Sequence, residues 1–223
     1  GSGVGGTWYW NRYPGCRFDS ESYSYGYSFS KEILDEWDWS EHFAPQPETL
    51  KYLNFVADKL DVRKDITFHA RVKSAVFDEA ATRWTIELED GSKASAGILI
   101  SATGPLSAPQ MPNIPGVSDY KGEAYHTGMW PRDPNGYGPA NIPFAGKRVG
   151  VLGTGATGVQ VIQEVAKTAG ELFVFQRTPN WCAPLLNSKI DAETQKTIHA
   201  TYDKIFKQCS ESMGNFLHKN DPR

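Results

Sequence analysis

The sequence predicts an α/β fold, and three observations between Arg148 and Arg177 carry this prediction. The apolar run Val149–Leu152 has the length and composition of a buried strand. A glycine-rich turn follows it and opens a segment whose apolar residues recur at helical spacing to about Ala169. A second apolar run, Glu171–Phe175, then reads as another strand. Strand, glycine turn, helix and strand in this order predict a βαβ unit over residues 148–177.

The first half of the chain predicts a loop, a helix and a β-rich stretch. Residues 1–30 lack a clear period and indicate an extended loop. A helix is expected from Pro47, because apolar residues follow helical spacing at Leu50, Leu53, Val56, Ala57 and Leu60. Short apolar or alternating runs then predict strands at Ile66–Phe68, Arg71–Phe77, Arg83–Glu89, near Lys93 after the turn Asp90-Gly91, and, fully buried, at Ile98–Ile100.

Proline and polarity divide the chain into three predicted parts. The segment Pro105–Pro115 is punctuated by prolines and is a plausible boundary between domains. We therefore expect one domain over residues 1–105, a second over 106–182, and the start of a helical subdomain over 183–223. The third part contains a polar helix predicted over about Asp191 to Cys209.

Composition excludes several classes of partner. The net charge is −3 and acidic and basic residues are interspersed, so the chain has neither a nucleic-acid-binding face nor a basic patch for a membrane. No apolar run approaches the roughly 20 residues that span a bilayer. The three cysteines lie far apart, and no histidine has metal-ligand spacing. These features favour a cytoplasmic protein without a metal site.

The glycine turn is the strongest indication of a ligand. In Gly153-Thr154-Gly155-Ala156-Thr157-Gly158, the first glycine permits a tight turn and the second lets the backbone approach a pyrophosphate. Gly158 lets the helix pack closely, and the helix N-terminus offers free N–H groups and partial positive charge to phosphates. The alternative is a tight turn without a ligand.

The end of the second strand decides between the two nicotinamide cofactors. NAD sites place a carboxylate there, whereas this chain has Phe175-Gln176-Arg177-Thr178. Arg177 would pair with the 2′-phosphate of NADP. A solvated arginine at a strand end is the alternative.

Aromatic residues crowd between Trp8 and Trp39. Two explanations stand equally: aromatic packing of a loop-rich region, or the lining of a site for a flat conjugated ligand.

A second motif identifies a family. The string Tyr120-x-Gly122-x-x-x-His126-x-x-x-Trp130-Pro131 resembles the fingerprint of Baeyer–Villiger monooxygenases, although that family usually begins the motif with Phe. Further similar stretches are Gly5–Gly15 with Asp19, Ala102-Thr103-Gly104-Pro105 and Phe175–Thr178. The resemblance extends from Gly5 to about Pro184 and is greatest to enzymes that act on cyclic ketones.

The resemblance implies FAD and NADPH as cofactors and assigns residues to each. FAD would be contacted by Gly6, Thr7, Trp8, Asp19, Tyr25 and Val72. NADPH would be contacted by Arg17, Phe18, Asp19, Gly153, Thr154, Gly155, Ala156, Thr157, Gly158, Val159, Arg177 and Thr178. Asp19 could orient a cationic partner near the flavin; an Asx-type turn after Gly15 is an equal alternative.

His126 and Trp130 are the other catalytic candidates beside Asp19. His126 could act as a general acid or could orient the loops between the nucleotide domains. Because the motif serves in the family as a linker that couples domain movement to catalysis, we expect the conformational role for His126 before a chemical one.

The implied activity is NADPH- and O2-dependent insertion of oxygen beside a ketone carbonyl, through a flavin peroxide, to give an ester or lactone. The implied fold has two dinucleotide-binding (Rossmann-like) domains of a flavoprotein monooxygenase, both incomplete here. Residues 1–105 would be part of the FAD-binding domain, and residues 106–182 would be the NADP-binding domain. The chain is therefore expected to be an internal fragment, inactive alone, with the peroxide-stabilising arginine elsewhere. An N-oxygenating flavin monooxygenase and a non-catalytic NADP-binding module are the alternatives.

Overall fold

The computed structural model describes residues 1–134, 136–212, 214, 216 and 217. In chain order its elements are α1 (Thr7–Trp10), α2 (Lys31–Glu36), α3 (Gln46–Lys59), β1 (Val72–Asp78), β2 (Arg83–Leu88), β3 (Lys93–Ala96), β4 (Arg148–Leu152), α4 (Ala156–Ala166), β5 (Glu171–Phe175) and α5 (Ala192–Ser210). Across these described ranges no helix is both long enough and apolar enough to cross a membrane.

The βαβ unit is confirmed. Strands β4 and β5 pair in parallel, in a register that runs from Arg148 opposite Glu171 to Leu152 opposite Phe175. Helix α4 crosses over the pair and buries Val161 and Val165, which are 4% and 2% exposed. These two residues lie one turn apart and so face the same side of the helix. The carboxyl ends of both strands therefore meet beside the N-terminus of α4.

An antiparallel meander precedes this unit. Strand β2 lies between β1 and β3. The tight turn between β2 and β3 is the predicted Asp90-Gly91, with Gly91 at a φ of +83° and its N–H donating to the carbonyl of Leu88 at 3.1 Å. A positive φ carries no steric cost at glycine, which explains why this residue occupies the turn.

Two strand predictions are wrong. Ile66–Phe68 is irregular chain that follows a short 3₁₀ turn, and Ile98–Ile100 is irregular chain outside any strand. Far from being buried, Ile98 and Ile100 are 80% and 83% exposed. The backbone of a strand needs a neighbouring strand for its hydrogen bonds, and among the described residues neither segment has one. An apolar run indicates a preference for burial and does not supply that neighbour.

The aromatic N-terminal region forms a core of its own. Its buried members are Phe18, Ile33, Trp39, Ala44, Tyr52 and Val56. Helix α2, which the sequence analysis did not predict, contributes Ile33 and begins where the Ser30 side chain accepts a hydrogen bond from the Ile33 N–H at 3.3 Å. A six-residue helix is too short to show a period, but its serine cap is a local start signal.

The polar helix predicted near the C-terminus is confirmed as α5. The Asp191 side chain caps it by accepting from the Thr194 N–H at 2.7 Å. Its buried face joins α2 in a cluster of Leu34, Ile198, Tyr202, Ile205 and Cys209. The meander, the βαβ unit and α5 fall into the ranges 1–105, 106–182 and 183–223, which we propose as the domain boundaries. Residues 213, 215 and 218–223 of the last range lie outside the described residues.

Candidate functional site

The glycine turn between β4 and α4 has the geometry of an anion site. Gly153 adopts a φ of +101°, and its N–H donates to the carbonyl of Phe175 at 2.8 Å, which ties the turn to β5. Gly155 is the N-cap of α4, so no side chain caps the helix. A Cβ built on Gly155 would meet no atom of the described chain within 4 Å. The first-turn N–H groups of α4 therefore face open space that an anionic group can enter.

Gly158 has a different purpose in the same turn. A Cβ at this position would lie 2.3 Å from the carbonyl oxygen of Gly153, a distance that real Cβ atoms do not show. The first turn of α4 consequently lies against the backbone of the glycine turn only because residue 158 has no side chain. This is the close-packing role that the spacing of the glycines predicts.

Two hydrogen bonds to Thr154 connect the segment after β5 to the glycine turn. The Gln176 side chain donates to the Thr154 hydroxyl at 2.8 Å, and the Asn180 side chain donates to the Thr154 carbonyl at 2.8 Å. Arg177 and Thr178 lie between these two anchors and are exposed. Both residues follow the carboxyl end of β5, beside the glycine turn, and neither lines the groove in front of α4.

A groove of about 1090 Å³ opens in front of α4, and we call it the nucleotide groove. One side is the segment Gly15 to Asp19, and the floor is Thr154 together with one face of α4 from Ala156 to Lys167 at its C-terminal end. The far side is the segment from Asn180 to Asn187. The structure thus brings together six residues predicted to contact NADPH: Arg17, Phe18, Asp19, Thr154, Ala156 and Val159. Two cationic side chains, Arg17 and Lys167, are part of its lining.

Gln160 of α4 holds the Gly15–Asp19 wall in place, although no motif in the sequence marks it. Its side chain accepts from the Tyr13 hydroxyl at 2.9 Å and donates to the carbonyl of Arg17 at 3.2 Å. Gly15, at a φ of +79°, packs so closely that a Cβ there would lie 2.7 Å from the Gln160 carbonyl oxygen. Burial raises the pKa of Tyr13 and raises that of Cys16 to about 11, so both side chains are neutral in this wall.

Asp19 is exposed at the groove and its side chain makes no hydrogen bond to the described residues. The Asx-type turn is therefore not formed here, and the carboxylate is free to meet a ligand.

A second groove, of about 600 Å³, lies between α1 and α3, and we call it the aromatic groove. It brings together four of the residues expected to contact FAD: Gly6, Thr7, Trp8 and Tyr25. The indole N–H of Trp8 donates to the Tyr25 hydroxyl at 2.9 Å. Tyr27 and Phe29 add further aromatic surface. Val72 does not line this groove; it begins β1 and is 57% exposed.

The aromatic residues between Trp8 and Trp39 divide into buried core and groove lining. Trp39 and Tyr52 are 2% and 1% exposed and are core. Trp8 and Tyr25 line the aromatic groove, and both contact Phe18, whose ring centroid lies 4.9 Å from that of Trp8 and 4.3 Å from that of Tyr25. Because Phe18 lines the nucleotide groove, these contacting aromatic rings form a wall between the two grooves.

His126 and Trp130 line neither groove. His126 Nδ1 accepts from the Gly128 N–H at 3.1 Å, which leaves Nε2 to donate to the carbonyl of Gln110 at 3.2 Å. Trp130 is 6% exposed and packs under α4 with Tyr13, Cys16, Val161 and Val165. Within the residues that the structure covers, no group of His, Cys, Asp and Glu could hold a metal ion.

The motif is also tied to α1, a contact that the sequence analysis missed. The Arg132 guanidinium lies 4.3 Å from the ring centroid of Tyr9 and 5.1 Å from that of Trp10. Such cation–π contacts are worth about 0.5–2 kcal/mol. Burial raises the pKa of Tyr9, but hydrogen bonds from Ser2 and the charge and hydrogen bond of Arg132 outweigh it and lower the pKa to about 8.

Comparison with known proteins places this geometry among flavin monooxygenases. The chain is 51% identical over all 223 residues to 2-oxo-Δ3-4,5,5-trimethylcyclopentenylacetyl-CoA monooxygenase of Pseudomonas putida. It is 51% identical over 186 residues, or 83% of its length, to the methyl acetate-forming acetone monooxygenase of Gordonia sp. strain TY-5. These alignments cover 41% and 34% of the two relatives, so the chain spans about two fifths of their length or less.

The fold agrees with solved structures. All of the chain superimposes on 42% of the crystal structure of OTEMO in complex with FAD and NADP, with a TM-score of 0.94 and 51% sequence identity. The family model for flavin-binding monooxygenase-like proteins matches residues 27–208. This chain belongs to the flavin-binding monooxygenase-like family.

Proposed function

We propose that the chain is the cofactor-binding part of a Baeyer–Villiger monooxygenase that uses NADPH and O2 to convert ketones, cyclic ones foremost, into esters or lactones. The carrying observation is the shared aromatic wall. Trp8 and Tyr25 on the aromatic groove contact Phe18 on the nucleotide groove, at ring distances of 4.9 and 4.3 Å. The two proposed cofactor sites are therefore neighbours, with this aromatic wall between them.

The residues present fit both cofactors. The nucleotide groove offers the uncapped N-terminus of α4 and the Arg17 guanidinium to an anionic dinucleotide, whereas Lys167 at the far end of α4 is paired with Glu164. The aromatic groove offers Trp8 and Tyr25 to a flat ring. FAD supplies the oxygen chemistry when bound, and NADPH supplies the reducing equivalents.

The chain's own residues bind, orient and exclude water. Gly153 to Val159 hold the pyrophosphate of NADPH, and Arg177 with Thr178 meets the 2′-phosphate. Arg17, Phe18 and Asp19 form the wall along the nicotinamide half, and Phe18 keeps water from the contact between the grooves. Gly6, Thr7, Trp8 and Tyr25 position FAD, with Val72 toward its adenine end.

His126 and Trp130 have a conformational role in this proposal. His126 closes the turn that precedes Trp130, and Trp130 is packed beneath the helix that opens the nucleotide site. Movement of the nucleotide-binding unit is therefore transmitted to α1 through Arg132.

The names of the relatives support the reaction, since one of them forms methyl acetate from acetone. We place the protein in the cytoplasm, which the free thiols of Cys16, Cys182 and Cys209 support.

The test is to express the complete reading frame and follow flavin absorbance together with NADPH oxidation. We expect a yellow protein whose NADPH oxidation is accelerated by cyclic ketones, with one ester or lactone formed per NADPH consumed. A panel of cyclic and acyclic ketones ranks the substrates. A colourless protein that binds NADPH without oxidising it would overturn the proposal in favour of a non-catalytic module. N-oxide formation from amines without any ester would favour the N-oxygenating alternative.

A further inference from the structure

Glu41 joins the two opposite walls of the nucleotide groove. Its Oε2 lies 3.4 Å from Nη1 of Arg17 on one wall and accepts from the Asn187 side chain on the other at 2.7 Å. Its Oε1 accepts from Nζ of Lys189 at 2.7 Å. Arg17 and Asn187 both line the groove, whereas Glu41 stands behind it. Residues far apart in the sequence therefore meet on one carboxylate.

The backbone around Glu41 follows the same arrangement. The His42 N–H donates to the carbonyl of Ser188 at 3.0 Å, and the Ile190 N–H donates to the carbonyl of Ser40 at 3.1 Å. The Phe43 N–H donates to Oδ1 of Asn187 at 2.9 Å. Residues 40–43 thus run beside 187–190, and the position of the 180–187 wall depends on this contact.

The charges make Glu41 the centre of the contact. Burial raises the pKa of Glu41, but hydrogen bonds from Lys189 and Asn187 and the charges of Lys189 and Arg17 outweigh it, so the pKa lies below its usual value. The side chain is 19% exposed, which limits screening by water. Arg17 uses Nη1 for Glu41 and for the carbonyl of Phe43. Its other donors have no partner among the described residues and remain for a ligand.

We propose that Glu41 is a positioning residue for dinucleotide binding, which rests on the proposed function. It holds the Arg17 guanidinium at the groove and fixes the position of residues 187–189 relative to the Gly15–Asp19 wall. The width of the groove, into which the dinucleotide must fit, depends on this position. It acts through Arg17 and Asn187 and does not touch the cofactor itself. Nothing in the local sequence marks this residue, since Ser40-Glu41-His42 has no motif spacing.

A double-mutant cycle on the complete FAD-loaded protein tests the proposal. The Kd for NADP⁺ is measured for wild type, Glu41→Gln, Arg17→Met and the double variant. We expect Glu41→Gln to raise Kd about tenfold, the weight of one charge-assisted hydrogen bond. In the Arg17→Met background the same change should raise Kd by a clearly smaller factor, because only the contact of Glu41 with Asn187 then remains. FAD content should stay at the wild-type level.

Glu36→Gln is the matched control, since Glu36 also pairs with a lysine, Lys59, and lines neither groove. Its Kd should equal that of wild type. Glu41→Asp keeps the negative charge and provides a second test that stands even if Glu41→Gln does not fold. Its shorter side chain cannot reach both walls, so the Kd for NADP⁺ should again rise. Unchanged affinity in Glu41→Gln or Glu41→Asp, or an equal loss with and without Arg17, overturns the proposal. Wild-type protein that does not bind NADP⁺ overturns the proposed function instead.

Discussion

Alanine at Gly158 and alanine at Gly155 should separate folding from nucleotide binding. At Gly158 the new Cβ would lie 2.3 Å from the carbonyl oxygen of Gly153, which belongs to the backbone and cannot rotate away. The first turn of α4 must therefore move by roughly 1 Å, and overpacking of this kind costs about 1–3 kcal/mol of unfolding free energy. Because the same movement misplaces the N–H groups of the turn, NADP⁺ affinity falls as well.

At Gly155 the same substitution should leave the fold intact. A Cβ there meets no atom within 4 Å, and the φ of −70° suits any residue. The unfolding free energy should therefore change by less than about 1 kcal/mol, because alanine restricts the unfolded chain but is a poorer N-cap than glycine. The methyl group would occupy the space in front of α4 that we assign to the pyrophosphate. Loss of one or two charge-assisted hydrogen bonds should raise the Kd for NADP⁺ about tenfold or more.

Urea unfolding and NADP⁺ titration of the two variants decide the matter. Gly97→Ala is the control, because Gly97 also has open space around it and lines neither groove. We expect lower stability and weaker binding for Gly158→Ala, and weaker binding alone for Gly155→Ala. The reasoning is refuted by a Gly155→Ala protein with wild-type affinity, or by a Gly158→Ala protein that is as stable as wild type.

Three further predictions concern other residues. Arg177→Ala should raise the KM for NADPH by about one to two decades and leave that for NADH unchanged; an unchanged KM for NADPH removes the 2′-phosphate assignment. At pH 8 a maleimide should label exposed Cys182 before buried Cys16, whose pKa is raised to about 11. Bound NADP⁺ should slow the labelling of Cys182. Labelling of Cys182 and Cys16 at the same rate contradicts this prediction. The pKa of Tyr9 is about 8 in the folded protein and 10.0 in the unfolded chain. Ionised Tyr9 should therefore stabilise the protein increasingly as the pH rises from 8 to 10, and this stabilisation should be lost as the pH falls through 8. Unfolding at each pH should show this rise in wild type and not in Tyr9→Phe or Arg132→Gln.

The predictable parts of the fold are those whose signals are local. The βαβ unit follows from periodicity and glycine spacing inside residues 148–177, and the structure has it with β4 and β5 in parallel. The strand at Ile98–Ile100 failed because a strand also needs a neighbour, which no local pattern supplies. Helix α2 was missed because six residues cannot display a helical period.

The residues of the candidate site likewise differ in whether a local sequence signal marks them. The glycine turn and Arg17 to Asp19 could be found from motifs and resemblance, and the structure brings Thr154 and Ala156 of that turn onto one groove with Arg17 to Asp19. Glu41 and Gln160 could not, because each acts on residues far away in the sequence: Glu41 meets Asn187, and Gln160 meets Tyr13. Long-range polar contacts of this kind leave no spacing to recognise.

The central claim is that the two grooves serve oxygen insertion into a ketone. The most direct measurement supplies the complete protein with NADPH, a cyclic ketone and isotopically heavy O2, and analyses the product by mass spectrometry. We predict a lactone that carries one heavy oxygen atom and forms only when both NADPH and the ketone are present. NADPH oxidation that yields only hydrogen peroxide, or a lactone without the heavy isotope, would contradict it.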